Sequence, residues 1–98
     1  MVSKKEIEEA LKKTIHPEIN YSLVKLRMIK DIEVKDAIIS ITLVLPLLEI
    51  PIKEDLINLI KESVKKLDKN IKIEIKTVEM NEEERENFML LAREGWKV

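Results

Sequence analysis

The sequence predicts an α+β fold, a two-layer sandwich in which helices cover a small three-stranded sheet. Segments with apolar residues at helical spacing and segments with period two follow one another as helix-strand-strand-helix-strand-helix. Three strands are too few to be stable uncovered, so helices should pack on at least one face. Neither a repeat nor a change in composition marks an internal boundary. We therefore expect one domain over residues 1–98.

The first helix is expected from about Lys4 to Thr14. Ser3 and Glu6 have the spacing of a capping box. Apolar residues recur at helical spacing, namely Ile7, Leu11 and Ile15. Pro17 should end this helix, because the residue before a proline is pushed out of the helical region.

The next two periodic segments, "IKDIEVK" and "AIISITLVL", predict a hairpin with a tight turn at Lys35-Asp36. The second strand should be the better buried one, with one apolar face formed by Ile39, Ile41, Leu43 and Leu45. Its other face is mixed and carries Ile38 and Val44. Two interpretations of that face stay open: it is a partner interface, or the last helix and Trp96 cover it.

Pro46 and Pro51 bracket a loop, after which an apolar stripe predicts the second helix, with Ile52, Leu56, Leu59, Ile60, Val64 and Leu67. "IKIEIKTV" alternates strictly and predicts the third strand. Asn81 and Glu84 give a second capping signal. The last helix should end at Gly95, with Trp96 folding back to pack.

Composition restricts the function. Apolar residues make up 45% of the chain, enough for a core, and the net charge of −1 gives no electrostatic argument for nucleic acid. There is no cysteine, so this chain supplies no thiolate ligand to zinc or to an iron–sulfur cluster. The N-terminus lacks the apolar stretch of a signal peptide, and a cytoplasmic location is expected. Abundant Lys, Glu and Ile suggest a hyperthermophile.

Catalytic motifs are scarce. The single glycine, Gly95, excludes a phosphate-binding glycine loop, and no serine lies in a nucleophile motif. His16 and Glu18 could share a metal or act as an acid–base pair, but two residues are fewer than a stable metal site needs. The simpler interpretation places His16 at the end of the first helix, where positive charge suits the helix dipole.

Several strings resemble the PaaD/SufT-like family of small iron–sulfur cluster assembly proteins, also called domain of unknown function 59. The family opens with a helix and Asp-Pro-Glu-Ile/Leu, which Pro17, Glu18 and Ile19 match. A motif like Ser-Ile-Val-Asp-Leu-Gly-Leu-Ile follows, matched by Ser22, Leu23, Val24, Leu26, Met28 and Ile29. Thr42 and Pro46 fit the family's second strand. The tail "MNEEERENFMLLAREGW" resembles its acidic last helix, which ends in glycine.

The chain also departs from the family. His16 stands where aspartate is usual, and Lys25 and Arg27 replace an aspartate and a glycine. Many members carry a reactive cysteine shortly after the proline that ends the second strand, and Leu48 stands near that place. Leucine neither ligates iron nor acts as a nucleophile.

The resemblance implies the same α+β fold and an accessory or adaptor protein rather than an enzyme. Its partners would be proteins: an Mrp-type ATPase, a cluster scaffold or iron–sulfur apoproteins. We expect partner contacts at Tyr21, Leu23, Pro46, Leu47 and Leu48, and a family-motif group of His16, Pro17, Glu18 and Thr42. No catalytic residue, metal, cofactor or membrane is expected, while a homodimer is permitted. The alternative is a small KH-like nucleic-acid-binding module, although the Gly-X-X-Gly loop is missing.

Overall fold

A computed structural model describes residues 2–97. The elements follow the predicted order and are α1 (Lys4–Lys12), β1 (Ile29–Lys35), β2 (Ile38–Leu45), α2 (Lys53–Lys65), β3 (Lys72–Glu79) and α3 (Glu82–Gly95). Both predicted capping boxes are present, at Ser3 before α1 and at Asn81 before α3. No helix within the described range is long and apolar enough to cross a membrane.

The sheet has the order β1-β2-β3. β1 and β2 form an antiparallel hairpin, and β3 runs parallel to β2 after the crossover through α2. A parallel neighbour requires such a crossover, which explains why a helix separates the second and third strands. The α+β prediction is therefore confirmed.

β2 lies at the centre of the sheet and of the core. Its alternate side chains Ile39, Ile41, Leu43 and Leu45 are all buried. The helices contribute the other layer of this core with Ile7 and Leu11 of α1 and with Leu56, Ile60 and Val64 of α2. On the opposite face of β2, Ile38 is exposed but Val44 is also buried. Val44 is thus a core residue and not part of an uncovered apolar face.

Two boundaries differ from the predictions. α1 ends at Lys12, two residues early, since the Thr14 hydroxyl donates to the Ala10 carbonyl at 3.0 Å and pairs with the Ser63 hydroxyl at 2.7 Å. This side-chain pair ties the end of α1 to α2. The hairpin turn is Asp36-Ala37 rather than Lys35-Asp36, and Asp36 has the positive φ (56°) that tight hairpin turns need.

A short turn between α1 and β1 ends in the hydrogen-bond pattern of a helix C-terminus. The Met28 N–H donates to the Leu23 carbonyl and the Arg27 N–H donates to the Val24 carbonyl, both at 3.0 Å. This is the Schellman pattern, in which the penultimate residue adopts left-handed backbone angles. Arg27 does so, with φ 60°. The position at which the family resemblance places a glycine is therefore one where glycine would be unstrained.

We predict that Arg27→Gly raises the free energy of unfolding by about 0.5–1 kcal/mol, because relief of the left-handed strain exceeds the added chain entropy of glycine. Urea denaturation measures the change. Arg27→Ala is the control: it removes the same charge but keeps the strain, and it should leave stability unchanged within about 0.5 kcal/mol. Equal effects of both variants would assign the gain to charge instead.

Candidate functional site

The segment that contains the only histidine is a closed loop. Thr14 and His16 pair with Leu23 and Tyr21 through backbone hydrogen bonds, from the Leu23 N–H to the Thr14 carbonyl at 2.9 Å and from the His16 N–H to the Tyr21 carbonyl at 3.0 Å. Ile15 and Ser22 form an antiparallel bridge between them. The six residues 16–21 are thereby held as one compact turn, which we call the His-Pro-Glu loop.

His16 has a structural role in this loop. Its ring Nδ1 accepts a hydrogen bond from the backbone N–H of Glu18 at 2.9 Å, and the residue is only 2% exposed. An aspartate in this place would accept the same bond from the residue two positions later, as in an Asx turn. The imidazole therefore performs the turn-forming task of the aspartate that the family resemblance leads one to expect.

The environment of His16 keeps the ring neutral. Burial, joined by the positive charge of Lys97, lowers the pKa of the imidazole to about 4. Because Nδ1 accepts the Glu18 N–H, the proton of the neutral ring lies on Nε2. The interpretation of His16 as a positive charge at the end of α1 is wrong, since the ring is uncharged and lies beyond the cap residue Lys13.

The His-Pro-Glu loop is attached to the end of α3. The Asn20 N–H donates to the Gly95 carbonyl at 2.6 Å and the Lys97 N–H donates to the Glu18 carbonyl at 3.0 Å. Ile19 and Trp96 form an antiparallel bridge between these bonds. We call residues 95–97 the C-terminal strap. Trp96 therefore folds back through its backbone, as expected, while its side chain stays 53% exposed.

Gly95 is required by close packing and not by backbone conformation, because its φ is not positive. A Cβ at this position would lie 2.9 Å from the Tyr21 ring and 3.2 Å from the Ile19 side chain. The Tyr21 hydroxyl donates to Glu94 at 2.9 Å, and Lys25 lies over its ring at 4.3 Å. Tyr21 is thus fixed between α3 and the turn that follows the loop.

An apolar cavity of about 570 Å³ opens beside this junction. Three walls form it: the His-Pro-Glu loop, the loop after β2 and one face of α3. Its apolar lining is Ile19, Met28, Pro46, Ile50, Pro51, Ile52, Phe88, Met89, Ala92 and Trp96, and its polar lining is His16, Glu18 and Arg93. Cavities of this volume and character commonly bind small molecules or side chains of partners.

Arg85 fixes the loop after β2. Its Nε donates to the Pro46 carbonyl at 2.9 Å and its Nη2 donates to the Met80 carbonyl at 3.0 Å. One guanidinium from α3 therefore holds the ends of both β2 and β3. The next residues, Leu47 and Leu48, are 53% and 41% exposed on this loop. They lie between lining residues of the cavity and stand where the family resemblance places the reactive cysteine.

The structure brings three of the nine predicted residues together. His16, Glu18 and Pro46 share one cavity, although they belong to two separate motifs. Leu23 is a correction: it is fully buried, so it belongs to the core and cannot be a contact surface. Thr42 lies apart from the loop that it was grouped with, in a shallow cleft on the sheet beside Ser40 and Lys76.

Sequence reasoning missed the contribution of α3. Phe88, Met89 and Ala92 line the cavity, together with Arg93. Phe88 and Ala92, with Leu91, have the apolar spacing of a helix, which a core-facing helix would also show, so the pattern alone did not distinguish cavity lining from core. Arg85 carried no signal either, because its bond to the Pro46 carbonyl joins residues 39 positions apart.

Metal and acid–base chemistry at His16 find little support in this geometry. The Nδ1 atom is already occupied by the Glu18 N–H. Across residues 2–97 no group of three or more His, Asp or Glu side chains is placed to hold a metal ion. The arrangement instead offers an apolar recess with one buried neutral imidazole and an arginine at its wall, which suits binding.

The comparisons with known proteins agree with this fold. The family model described as "Iron-sulfur cluster assembly protein" matches residues 4–76, and the chain belongs to that family. A crystal structure of a domain of unknown function 59 from Bacillus anthracis is similar, with a TM-score of 0.72 over 91% of each chain at 18% identity. At that identity the likeness shows the fold alone. No curated protein matches the sequence.

We predict a pH dependence from His16. The pKa of its imidazole is about 4 in the folded protein and has its ordinary value of 6.5 in the unfolded chain, so the unfolded chain binds more protons between these values. Stability contributed by the neutral ring is complete above about pH 6.5 and is lost as the pH falls towards 4. The loss is at most about 3 kcal/mol, measurable by urea denaturation at a series of pH values.

His16→Asn provides the control, because the amide oxygen of asparagine can accept the Glu18 N–H without titrating. Its stability should vary less than that of the wild type between pH 6.5 and pH 5. An identical loss in both proteins over this interval would show that other groups cause it.

Proposed function

We propose that this chain is an accessory protein of iron–sulfur cluster assembly that binds protein partners and does not itself ligate a cluster. The proposal rests on one observation: two segments that resemble motifs of the family line the same cavity. The His-Pro-Glu loop supplies one wall and the loop from Pro46 to Pro51 supplies another. An apolar surface at this point suits recognition of another protein more than chemistry.

The chemistry of the loop after β2 supports a role without a cluster. Where the resemblance leads one to expect a reactive cysteine, Leu48 is exposed, and the whole chain lacks cysteine. A leucine cannot donate an electron pair to iron, but an exposed pair such as Leu47-Leu48 can bury apolar surface against a partner. The position is thereby suited to contact rather than to ligation.

The proposed partners are those that the resemblance implies: an Mrp-type ATPase, a cluster scaffold or an iron–sulfur apoprotein, met in the cytoplasm. The expected contacts are Leu47, Leu48, Pro46 and Tyr21, and the exposed side chains of Met89 and Trp96 would extend the surface at α3. No geometric feature favours the KH-like alternative, since the one glycine of the chain packs against Tyr21.

The first test is copurification from the source organism, with proteins identified by mass spectrometry and iron measured on the bait. Recovery of an Mrp-type ATPase, a scaffold or iron–sulfur apoproteins with iron-free bait supports the proposal. Iron retained by the bait, or recovery dominated by RNA and ribosomal proteins, contradicts it.

We predict that Leu48→Asp weakens the affinity for the recovered partner at least about tenfold, or about 1.4 kcal/mol, because a charge would be desolvated at the interface. The melting temperature should stay unchanged, since Leu48 is 41% exposed. Isothermal titration calorimetry with the purified partner measures the affinity.

Leu67→Asp is the matched control. Leu67 is 39% exposed and lines a different groove, between α1 and α2. Its substitution should leave the affinity unchanged. Unfolding of the Leu48 variant would instead make Leu48 a core residue, and equal weakening by both variants would remove the loop from the interface.

A further inference from the structure

β1 and β3 are the two edge strands of the sheet, and β3 is the regular one, since the register of β1 shifts between Lys30 and Glu33. β3 is eight residues long, pairs within the described chain only with β2, and contains neither a proline nor a glycine. Within residues 2–97, its backbone makes no hydrogen bond beyond those towards the β2 side. Long, regular edge strands readily pair with another chain, so proteins that remain single usually interrupt or cover them.

The two ends of β3 show which backbone groups face outwards. The Lys72 N–H donates to the Ala37 carbonyl, and the Met80 N–H donates to the Leu45 carbonyl. Because the N–H and C=O of one residue share an edge and alternate along a strand, even-numbered residues face β2. The outward groups of the strand therefore belong to Ile73, Ile75, Thr77 and Glu79.

The side chains of β3 alternate between the two faces of the sheet. Ile73 and Ile75 are half-buried beside Ile39 and Ile41 of β2, on the core face of the sheet. Glu74 and Lys76 are exposed on the other face, next to the uncharged Ser40 and Thr42.

Charge and the length of the overlap together select a single register for a second antiparallel copy of β3. With Ile75 on the two-fold axis, Glu74 of each copy lies opposite Lys76 of the other. Ile75 then meets its own equivalent, and Ile73 lies opposite Thr77. The outward backbone groups of Ile73, Ile75 and Thr77 are matched, since odd-numbered residues face odd-numbered ones. The two charge pairs fall at non-hydrogen-bonded positions, where opposed side chains are closest.

The neighbouring registers are disfavoured. An axis at Glu74 would place that carboxylate opposite its own equivalent and Lys72 opposite Lys76. An axis at Lys76 would oppose two lysines. Like charges directly opposite one another destabilise a strand pair. An axis at Ile73 pairs Lys72 with Glu74 but leaves β3 from Ile75 onwards without a strand residue opposite it. An axis at Thr77 likewise leaves β3 up to Glu74 without one.

We propose that two copies of this chain dimerise through antiparallel pairing of their β3 strands, with Ile75 on the axis, to form one continuous six-stranded sheet. This inference is independent of the proposed function, because it rests on the sheet edge and not on the cavity.

A charge-exchange experiment tests the register. Analytical ultracentrifugation at about 100 µM protein should show a dimer for the wild type. Glu74→Lys and Lys76→Glu should each weaken dimerisation at least about tenfold, because each opposes like charges across the axis. The double variant Glu74→Lys/Lys76→Glu should dimerise again, and an equimolar mixture of the two single variants should form a heterodimer. None of these exposed changes should alter the melting temperature by more than a few degrees.

Thr77→Pro is the second variant, since its N–H faces outwards and a proline there removes no bond to β2. It should be monomeric with a retained circular dichroism spectrum. A wild type that is monomeric at this concentration overturns the proposal. A dimer that tolerates both single charge changes and Thr77→Pro also overturns it, because another surface would then hold the two copies together.

Discussion

The candidate site depends on the backbone pairing between the His-Pro-Glu loop and the C-terminal strap. Two hydrogen bonds flank the bridge between Ile19 and Trp96, and the Lys97 amine adds a bond to the His16 carbonyl at 3.3 Å. Without this pairing the final turn of α3 would be held to the loop near the start of the chain only by the Tyr21–Glu94 hydrogen bond and by packing at Gly95. The cavity exists because α3 is held at both ends, by the strap and by Arg85 on the Pro46 carbonyl.

The backbone geometry of this loop and of the turn before β1 explains two departures from the family pattern. The loop needs a hydrogen-bond acceptor for the Glu18 N–H, and the imidazole Nδ1 of His16 provides it. The turn before β1 needs a residue with positive φ, and Arg27 occupies that conformation despite the strain. Local geometry is therefore preserved while the side-chain chemistry changes. Leu48 is a different case, because leucine neither ligates iron nor acts as a nucleophile as a thiol does.

The sequence predicted the order of elements and the family because capping boxes, period-two strands and short motifs are local signals. The short motifs also identified His16, Glu18 and Pro46 as candidate site residues, although they did not show that these residues share a cavity. Leu23 was misassigned because a loop position says little about burial when the loop folds as a compact turn. The parts that were missed depend on contacts between segments that are far apart in the sequence. Arg85 and Pro46 are 39 positions apart, and the cavity face of α3 meets loops that lie before α2.

The free edge of β3 and the cavity occupy different parts of the molecule. None of the residues that line the cavity within the described chain belongs to β3. Pairing of two β3 strands would therefore leave both cavities open, and one dimer would present two equivalent binding surfaces. A partner that is itself dimeric would meet the second surface at a raised effective concentration, so a weak contact at Leu47-Leu48 would suffice for stable association.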